Sequence, residues 1–299
     1  MTSVPDPDPT VPFILEVPAF ASVHLRIVSA TGRTLATATG FVVLDGDLMP
    51  HLITNRHVVT GQNWETGEIA GEGVAPSALV ASFPRQGHAM QWVQIVLLLG
   101  DEDLRPQWRE HPRHGKLVDV VALPLTFDAR EKEVDLVSYP LETDNARLDL
   151  TGELYVIGYP LNVNPEMAGG LLGIWMRGSI AWPPQLDWRG LPCMLLDCRT
   201  RDGQSGSPVI FWADATKTFV GPHQRVQTGP PSAPAWNLVG VYSGRIHKDS
   251  DIGMVWKRSA VEEIVAAGQP PAAVTLAPLA GDPLADSQDS GSPESAAVE

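Results

Sequence analysis

The chain has 299 residues, a formal net charge of −14 and only two cysteines, Cys193 and Cys198. That length suits one large structural unit or two modest ones. The acidic balance excludes a nucleic-acid binder, which would carry a basic face, and reads instead as colloidal solubility. So few cysteines exclude a disulfide-rich secreted scaffold and favour a reducing compartment, so the expected location is cytoplasmic.

Residues 1–17 are rich in Pro and Asp and are expected to be extended or disordered, and they lack the basic and apolar regions of a signal peptide. From Val23 the texture turns to strands. Residues 23–28 alternate apolar and polar, residues 34–44 and 51–54 continue the pattern, and Asp45-Gly46 marks a turn. Apolar runs follow at 93–99 and 117–125. A charged, polar stretch from Asp128 to Asp149 separates these from a second cluster of short runs at 154–160, 173–180, 194–196, 209–212, 238–242 and 254–256. Short strands with Gly and Pro punctuation indicate a barrel or sandwich class, and two clusters suggest two barrels with a cleft between them.

One helix stands out, about residues 257–268, with Val261, Ile264 and Val265 on one face and Gly268 and Pro270 as its stop. Residues 269–299 read as a disordered acidic tail rich in Pro and Ala. The long loop between Phe211 and Leu238 is either a wall of the cleft or a surface insertion. No run approaches the ~20 apolar residues that span a bilayer, so no membrane partner is expected. Cys193 and Cys198 are read as two small buried residues, with a local disulfide as the alternative. No histidine pair stands near them at ligand spacing, so neither a metal nor any other cofactor is expected.

Three segments carry chemistry. In Arg201–Pro208 a serine, Ser205, stands between Gly203 and Gly206, and glycines there let the backbone turn its N–H groups toward the serine oxygen. His57 ends the apolar run 52–59, and Asp119 lies inside the run 117–123. A serine hydroxyl needs a base to take its proton, an imidazole titrates near neutrality, and a carboxylate fixes the imidazole tautomer. Enough chain for several strands separates each pair. An α/β-hydrolase would order these residues differently and would show alternating β–α texture.

The order His57, Asp119, Ser205, with Thr54-Asn55-Arg56-His57, Asp119–Leu123 and Gly203-Gln204-Ser205-Gly206-Ser207-Pro208, resembles the trypsin-like (chymotrypsin-fold) serine peptidases. The likeness is to bacterial members without disulfides and covers roughly residues 18–267. The segments 238–244 and 252–256 resemble the strand that pairs with substrate and the strand that lines the specificity pocket. The resemblance implies an all-β fold of two six-stranded antiparallel Greek-key barrels and a C-terminal helix. The peptidase domain is expected at 18–268, with the first barrel at about 18–127 and the second at about 150–257. The tail is too short and polar for a PDZ module.

The resemblance further implies a serine endopeptidase working on protein or peptide substrates, with His57, Asp119 and Ser205 catalytic. The N–H groups of Gly203 and Ser205 would form the oxyanion hole. Arg199, Thr200, Tyr242, Ser243, Gly244 and Gly253 would bind substrate. Arg199 is expected either at the pocket floor, where it would favour an acidic side chain, or facing solvent. Gln204 and Arg56 depart from the family pattern. Glutamine cannot form the ion pair that an acidic residue makes with a newly cleaved N-terminus, so no activation cleavage of that kind is expected. The nucleophile loop must then be held by other contacts or by a regulatory protein partner. The rival reading is an inactive or partner-gated trypsin-fold binding module.

Overall fold

The computed structural model describes residues 16–63, 66–69, 73–88, 90–141, 148–160, 171–213, 219–220, 226–227, 235–247, 249–271, 274 and 276–284. A short helix, α1 (Val17–Ala21), leads into β1 (Ser22–Val28), β2 (Thr34–Leu44), β3 (Pro50–Thr54), the one-turn helix α2 (Arg56–Thr60), β4 (Ala78–Pro84), β5 (Trp92–Leu98) and β6 (Val121–Pro124). The second half holds β7 (Glu153–Gly158), β8 (Ile174–Ile180), a 3₁₀ turn at Trp188–Gly190 and β9 (Cys193–Asp197). It continues with β10 (Pro208–Ala213), the small pair β11 (Phe219–Val220) and β12 (Val226–Gln227), then β13 (Ala235–Arg245), β14 (Ile252–Lys257) and α3 (Arg258–Ala267).

The first sheet runs β5-β4-β1-β2-β3-β6, and the second is a closed barrel β10-β13-β14-β9-β8-β7. Both rows describe the same cyclic order of six antiparallel strands, which is the chymotrypsin-like arrangement. The open seam of the first sheet, between β5 and β6, is bridged by the segment after β5. Gln107 N–H donates to the Leu99 carbonyl (2.9 Å), and Arg109 exchanges two hydrogen bonds with Ala122 of β6 (2.9 and 3.1 Å). Inside this first barrel Leu25, Leu52, Leu79, Phe83, Leu99 and Trp108 are fully buried, each contributing roughly 1.5–3 kcal/mol of apolar burial. Leu154, Val156, Met194, Leu196, Val209 and Val255 fill the second.

A third cluster joins the halves. Phe41 and Ile53 of the first sheet, Val118 and Val120, Ile210 and Val241 of the second, and Ala260, Val261 and Ile264 of α3 form one core. The helix expected at 257–268 therefore does more than close the chain: its apolar face packs against the two residues that flank Asp119.

Three expectations need correction. The run 117–125 yields a strand only at Val121–Pro124, while Leu117 is exposed and Val118 and Val120 are buried from extended coil. The stretch 1–17 was expected to be unstructured, yet α1 starts at Val17 and buries Pro18, Ala19 and Ala21. Residues 1–15 lie outside the described residues. The third correction is larger. The described residues of 269–284, a stretch assigned to a disordered tail, run along the first barrel. Gln269 pairs with Glu110 through two backbone hydrogen bonds (2.8 and 3.0 Å). Leu276 enters the barrel core and is 7% exposed. Ala280 N–H donates to the Ala30 carbonyl (2.7 Å), and the Arg26 guanidinium donates to the Pro283 carbonyl (3.0 Å). A few isolated apolar anchors in a Pro/Ala-rich segment produce no periodicity, so composition alone misreads it. The rest of the expected tail, 285–299, lies outside the described residues, as does most of the 211–238 loop.

Cys193 and Cys198 are free and buried, and burial pushes their thiols up, to about 12 and about 11 respectively. No helix among the described residues is long and apolar enough to cross a membrane.

Candidate active site

β3 ends at Thr54, and the chain turns into α2 with His57 in its first turn. Asp119, with no exposed surface, meets that turn from the coil before β6. Its Oδ1 accepts the His57 backbone N–H at 2.8 Å, and its Oδ2 accepts from His57 Nδ1 at 2.7 Å. The Asn55 side chain donates to the Asp119 carbonyl at 2.7 Å. The Ser243 hydroxyl, reaching across from β13, donates to the same Oδ2. Every oxygen of Asp119 is thus engaged, and His57 is held in the tautomer with Nε2 unprotonated. Burial, the largest single effect, pushes the His57 imidazole down, but the Asp119 charge and hydrogen bond together outweigh it, and the net direction is up.

The two departures from the family pattern beside His57 have structural roles. Asn55 clamps Asp119. Arg56 is buried, and its Nε donates to Glu110 Oε1 at 2.7 Å, with the two side chains only 8% and 7% exposed. Glu110 is the residue paired to Gln269, so the histidine-bearing turn is anchored to the strap that runs along the first barrel.

The nucleophile loop is built from two turns. Gln204 N–H donates to the Arg201 carbonyl (3.3 Å), and Ser207 N–H donates to the Gln204 carbonyl (3.0 Å). Gln204 is wholly buried, and its Oε1 accepts the Arg201 N–H at 3.0 Å. The contact that replaces the zymogen-type ion pair is therefore a neutral side-chain-to-backbone bond inside the loop. Thr39 of β2 supplies the rest. Its N–H donates to the Ser205 carbonyl (2.8 Å), its Oγ1 donates to the Gly203 carbonyl (2.8 Å), and the same Oγ1 accepts the Tyr159 N–H (3.2 Å). Gly203 and Gly206 have φ of +92° and +84°, and a Cβ at either would lie within 2.2 Å of a backbone oxygen, that of Tyr159 or of Thr39 respectively. Only glycine satisfies both the dihedral and the space.

Gly206 N–H donates to the Tyr242 carbonyl, and Tyr242 N–H to the Ser207 carbonyl, each at 2.9 Å. Ser205 therefore lies beside the residue preceding Ser243, whose hydroxyl rests on Asp119. That chain of contacts ties the turn carrying Ser205 to Asp119 and, through Asp119, to His57. Among the described hydrogen bonds, Ser205 Oγ has no partner and the N–H groups of Gly203 and Ser205 donate to nothing. A free catalytic hydroxyl is common without substrate, because such bonds tighten only when substrate is bound.

The expected substrate residues divide. Thr200 and Tyr242 are buried and share a hydrogen bond between their hydroxyls. Gly244 has open space where a side chain would be. The Ser243 hydroxyl is directed at Asp119, which sequence spacing did not reveal. Arg199 is a correction: its side chain is 76% exposed, 3.8 Å from Asp251, so it is not a pocket floor and the preference for acidic side chains goes with it. A strand-end arginine lowers its desolvation cost by turning outward. Thr39, Asn55 and Glu110 were not foreseen as parts of the site. A cavity of about 360 Å³ opens elsewhere, between β13 and the start of α3, lined by Met194, Leu238, Lys257 and Glu262 among others.

A family model described as a trypsin-like peptidase domain matches residues 38–221, more than half of the chain and all three candidate residues. The chain belongs to the trypsin-like peptidase family. Among solved structures, this peptidase is similar to a serine endoprotease from Yersinia pestis, at 14% identity and a TM-score of 0.46, over 84% of this chain and 64% of that one. It is also similar to an M. tuberculosis protease in its active form, at 15% identity and a TM-score of 0.43, over 92% and 99% of the two chains. A third is the protease Anisep from Arthrobacter nicotinovorans, at 14% identity and a TM-score of 0.47, over 84% and 98%. The chain spans less than two thirds of the Yersinia protein. No curated protein matches it.

Proposed function

We propose that this trypsin-like peptidase is a serine endopeptidase in which Ser205 is the nucleophile, His57 the general base and Asp119 the group that orients it. The observation that carries the reading is the pair of undonated N–H groups, Gly203 and Ser205, in a loop whose other backbone groups are largely bonded. Buried or half-buried donors left free beside a serine are positioned for charge that appears only during reaction. In the first step His57 Nε2 takes the Ser205 proton as Oγ attacks the scissile carbonyl. The carbonyl oxygen becomes an oxyanion held by the two N–H groups. His57, now an imidazolium stabilised by Asp119, gives its proton to the leaving amine, and an acyl ester on Ser205 remains. Water, deprotonated by the same histidine, attacks the ester and releases the acid.

The test is fluorophosphonate labelling of the full chain, read by intact mass, beside Ser205→Ala. A single adduct that disappears in the variant supports the reading. No adduct on folded protein sinks it and leaves the trypsin fold as a binding module.

A further inference from the structure

We propose that Tyr242 closes the cleft beneath Ser205, so that the substrate residue on the acyl side of the scissile bond must be small, alanine or serine. The inference rests on the peptidase reading and goes beyond it to substrate class.

Three stretches of chain wall the Tyr242 side chain. One is the chain from Thr200 to Gln204 that leads into the nucleophile loop. The second is Ser243–Arg245, where the β13–β14 ladder shifts register between Tyr242 and Arg245 and frees the strand. The third is β14 at Gly253, which pairs with Arg245. The resemblance of 252–256 to the strand that lines the specificity pocket sets the substrate side chain next to the attacked carbonyl between the first and third walls. That gap already holds a ring. Tyr242 is tied by its backbone to Gly206 and Ser207, on either side of the nucleophile turn. Its side chain is 1% exposed. Its hydroxyl meets Thr200 Oγ1 on the first wall, and its Cε2 lies 2.3 Å from where a Cβ of Gly253 would be on the third. Gly253 thus makes room for the tyrosine, not for a substrate.

Chemistry points the same way. The two hydroxyls at this depth satisfy each other, so they ask nothing of a substrate. Arg199, the charged residue expected at the floor, is at the surface. A lysine, arginine or glutamate side chain entering here would lose its hydration without gaining a counter-charge. A phenylalanine or leucine would have to displace a hydrogen-bonded ring from a packed interior. Alanine and serine need neither.

The experiment uses peptidyl phosphonates that differ only in the residue beside phosphorus (Ala, Phe or Lys), together with a small alkyl fluorophosphonate that has no such residue. The rate of adduct formation on the full chain is read by intact mass. The alanine probe is expected to react ~100-fold or more faster than the phenylalanine and lysine probes. Tyr242→Ala is expected to raise the phenylalanine rate ~10-fold or more relative to alanine, and Tyr242→Val to raise it less. If the phenylalanine or lysine probe matches alanine while the small probe labels normally, the specificity inference falls and the peptidase reading stands. Should a folded Tyr242→Ala still refuse phenylalanine, something other than this ring closes the cleft and the inference also falls. If neither variant folds, the wild-type ratio decides alone: a strong alanine preference upholds it and a flat profile overturns it. Absence of labelling by every probe on folded wild type would remove the peptidase reading and this inference with it.

Discussion

The histidine side of the cleft and the serine side are built on opposite plans. On the histidine side the central group is saturated: Asp119 has no exposed surface and its three oxygens accept from His57, Asn55 and Ser243, and among the described residues it is Asn55 Oδ1 beside it that is buried without a partner. On the serine side bonds are withheld. The N–H groups of Gly203 and Ser205 donate to nothing among the described residues, and Gln204 Nε2 and Ser207 Oγ are buried without partners. The first side fixes an orientation before substrate arrives. The second carries unmet hydrogen-bonding capacity, a cost of about 1–3 kcal/mol per buried group, and in the proposed mechanism the two N–H groups regain their share when an oxyanion forms. A saturated loop would be more stable and a worse catalyst.

That contrast can be broken in graded steps. Ser205→Ala should remove about 10⁶-fold from kcat while leaving the melting temperature nearly unchanged, because the hydroxyl has no partner to lose. Asp119→Asn should cost about 10⁴-fold and should also move the pH profile. In the wild type the base form of His57 is needed and its pKa is raised, so kcat/KM should climb with pH through a midpoint above the ordinary ~6.5. With the Asp119 charge gone and burial remaining, that midpoint should fall. The linked stability has the opposite pH sense: the protonated imidazole favours the folded state below the unfolded pKa, and this is lost as pH rises through the folded one.

Arg56→Ala would strand a buried Glu110 carboxylate and should cost about 3–5 kcal/mol in denaturant unfolding. Arg85→Ala makes the control, since its pair with Glu133 is 41% and 59% exposed and is worth about 0–1 kcal/mol. Thr39→Val removes the hydroxyl bond to the Gly203 carbonyl and should lower kcat by roughly 10–100-fold with KM little changed, and Thr39→Ser should restore it. An unchanged kcat would show that the nucleophile loop holds its shape without that hydroxyl.

Order and residue type along the chain made the fold legible: His57, Asp119 and Ser205 each sit at a recognisable junction of apolar run and turn. Less legible were the groups that hold them. Asn55 and Arg56 looked like departures from a pattern, because their partners, the Asp119 carbonyl and Glu110, lie 64 and 54 residues away. The side-chain directions of Arg199 and Tyr242 were open for a related reason. Position in a motif places a backbone, whereas burial cost and packing decide where the side chain points, and at this cleft the arginine turned out and the tyrosine turned in.

The strap formed by the described residues of 269–284 bears on how the molecule is made. Leu276 belongs to the core of the first barrel, although the whole second barrel precedes it in the chain. A ribosome that has finished the first six strands has therefore made a barrel whose seam is bridged but whose interior lacks a side chain and whose Glu110 lacks its backbone partner. Completion waits for the last segment to emerge, and the anchor of the histidine turn waits with it. Synthesis thus assembles the two sides of the cleft nearly together, and a partly made chain lacks the contacts that back the histidine turn through Glu110.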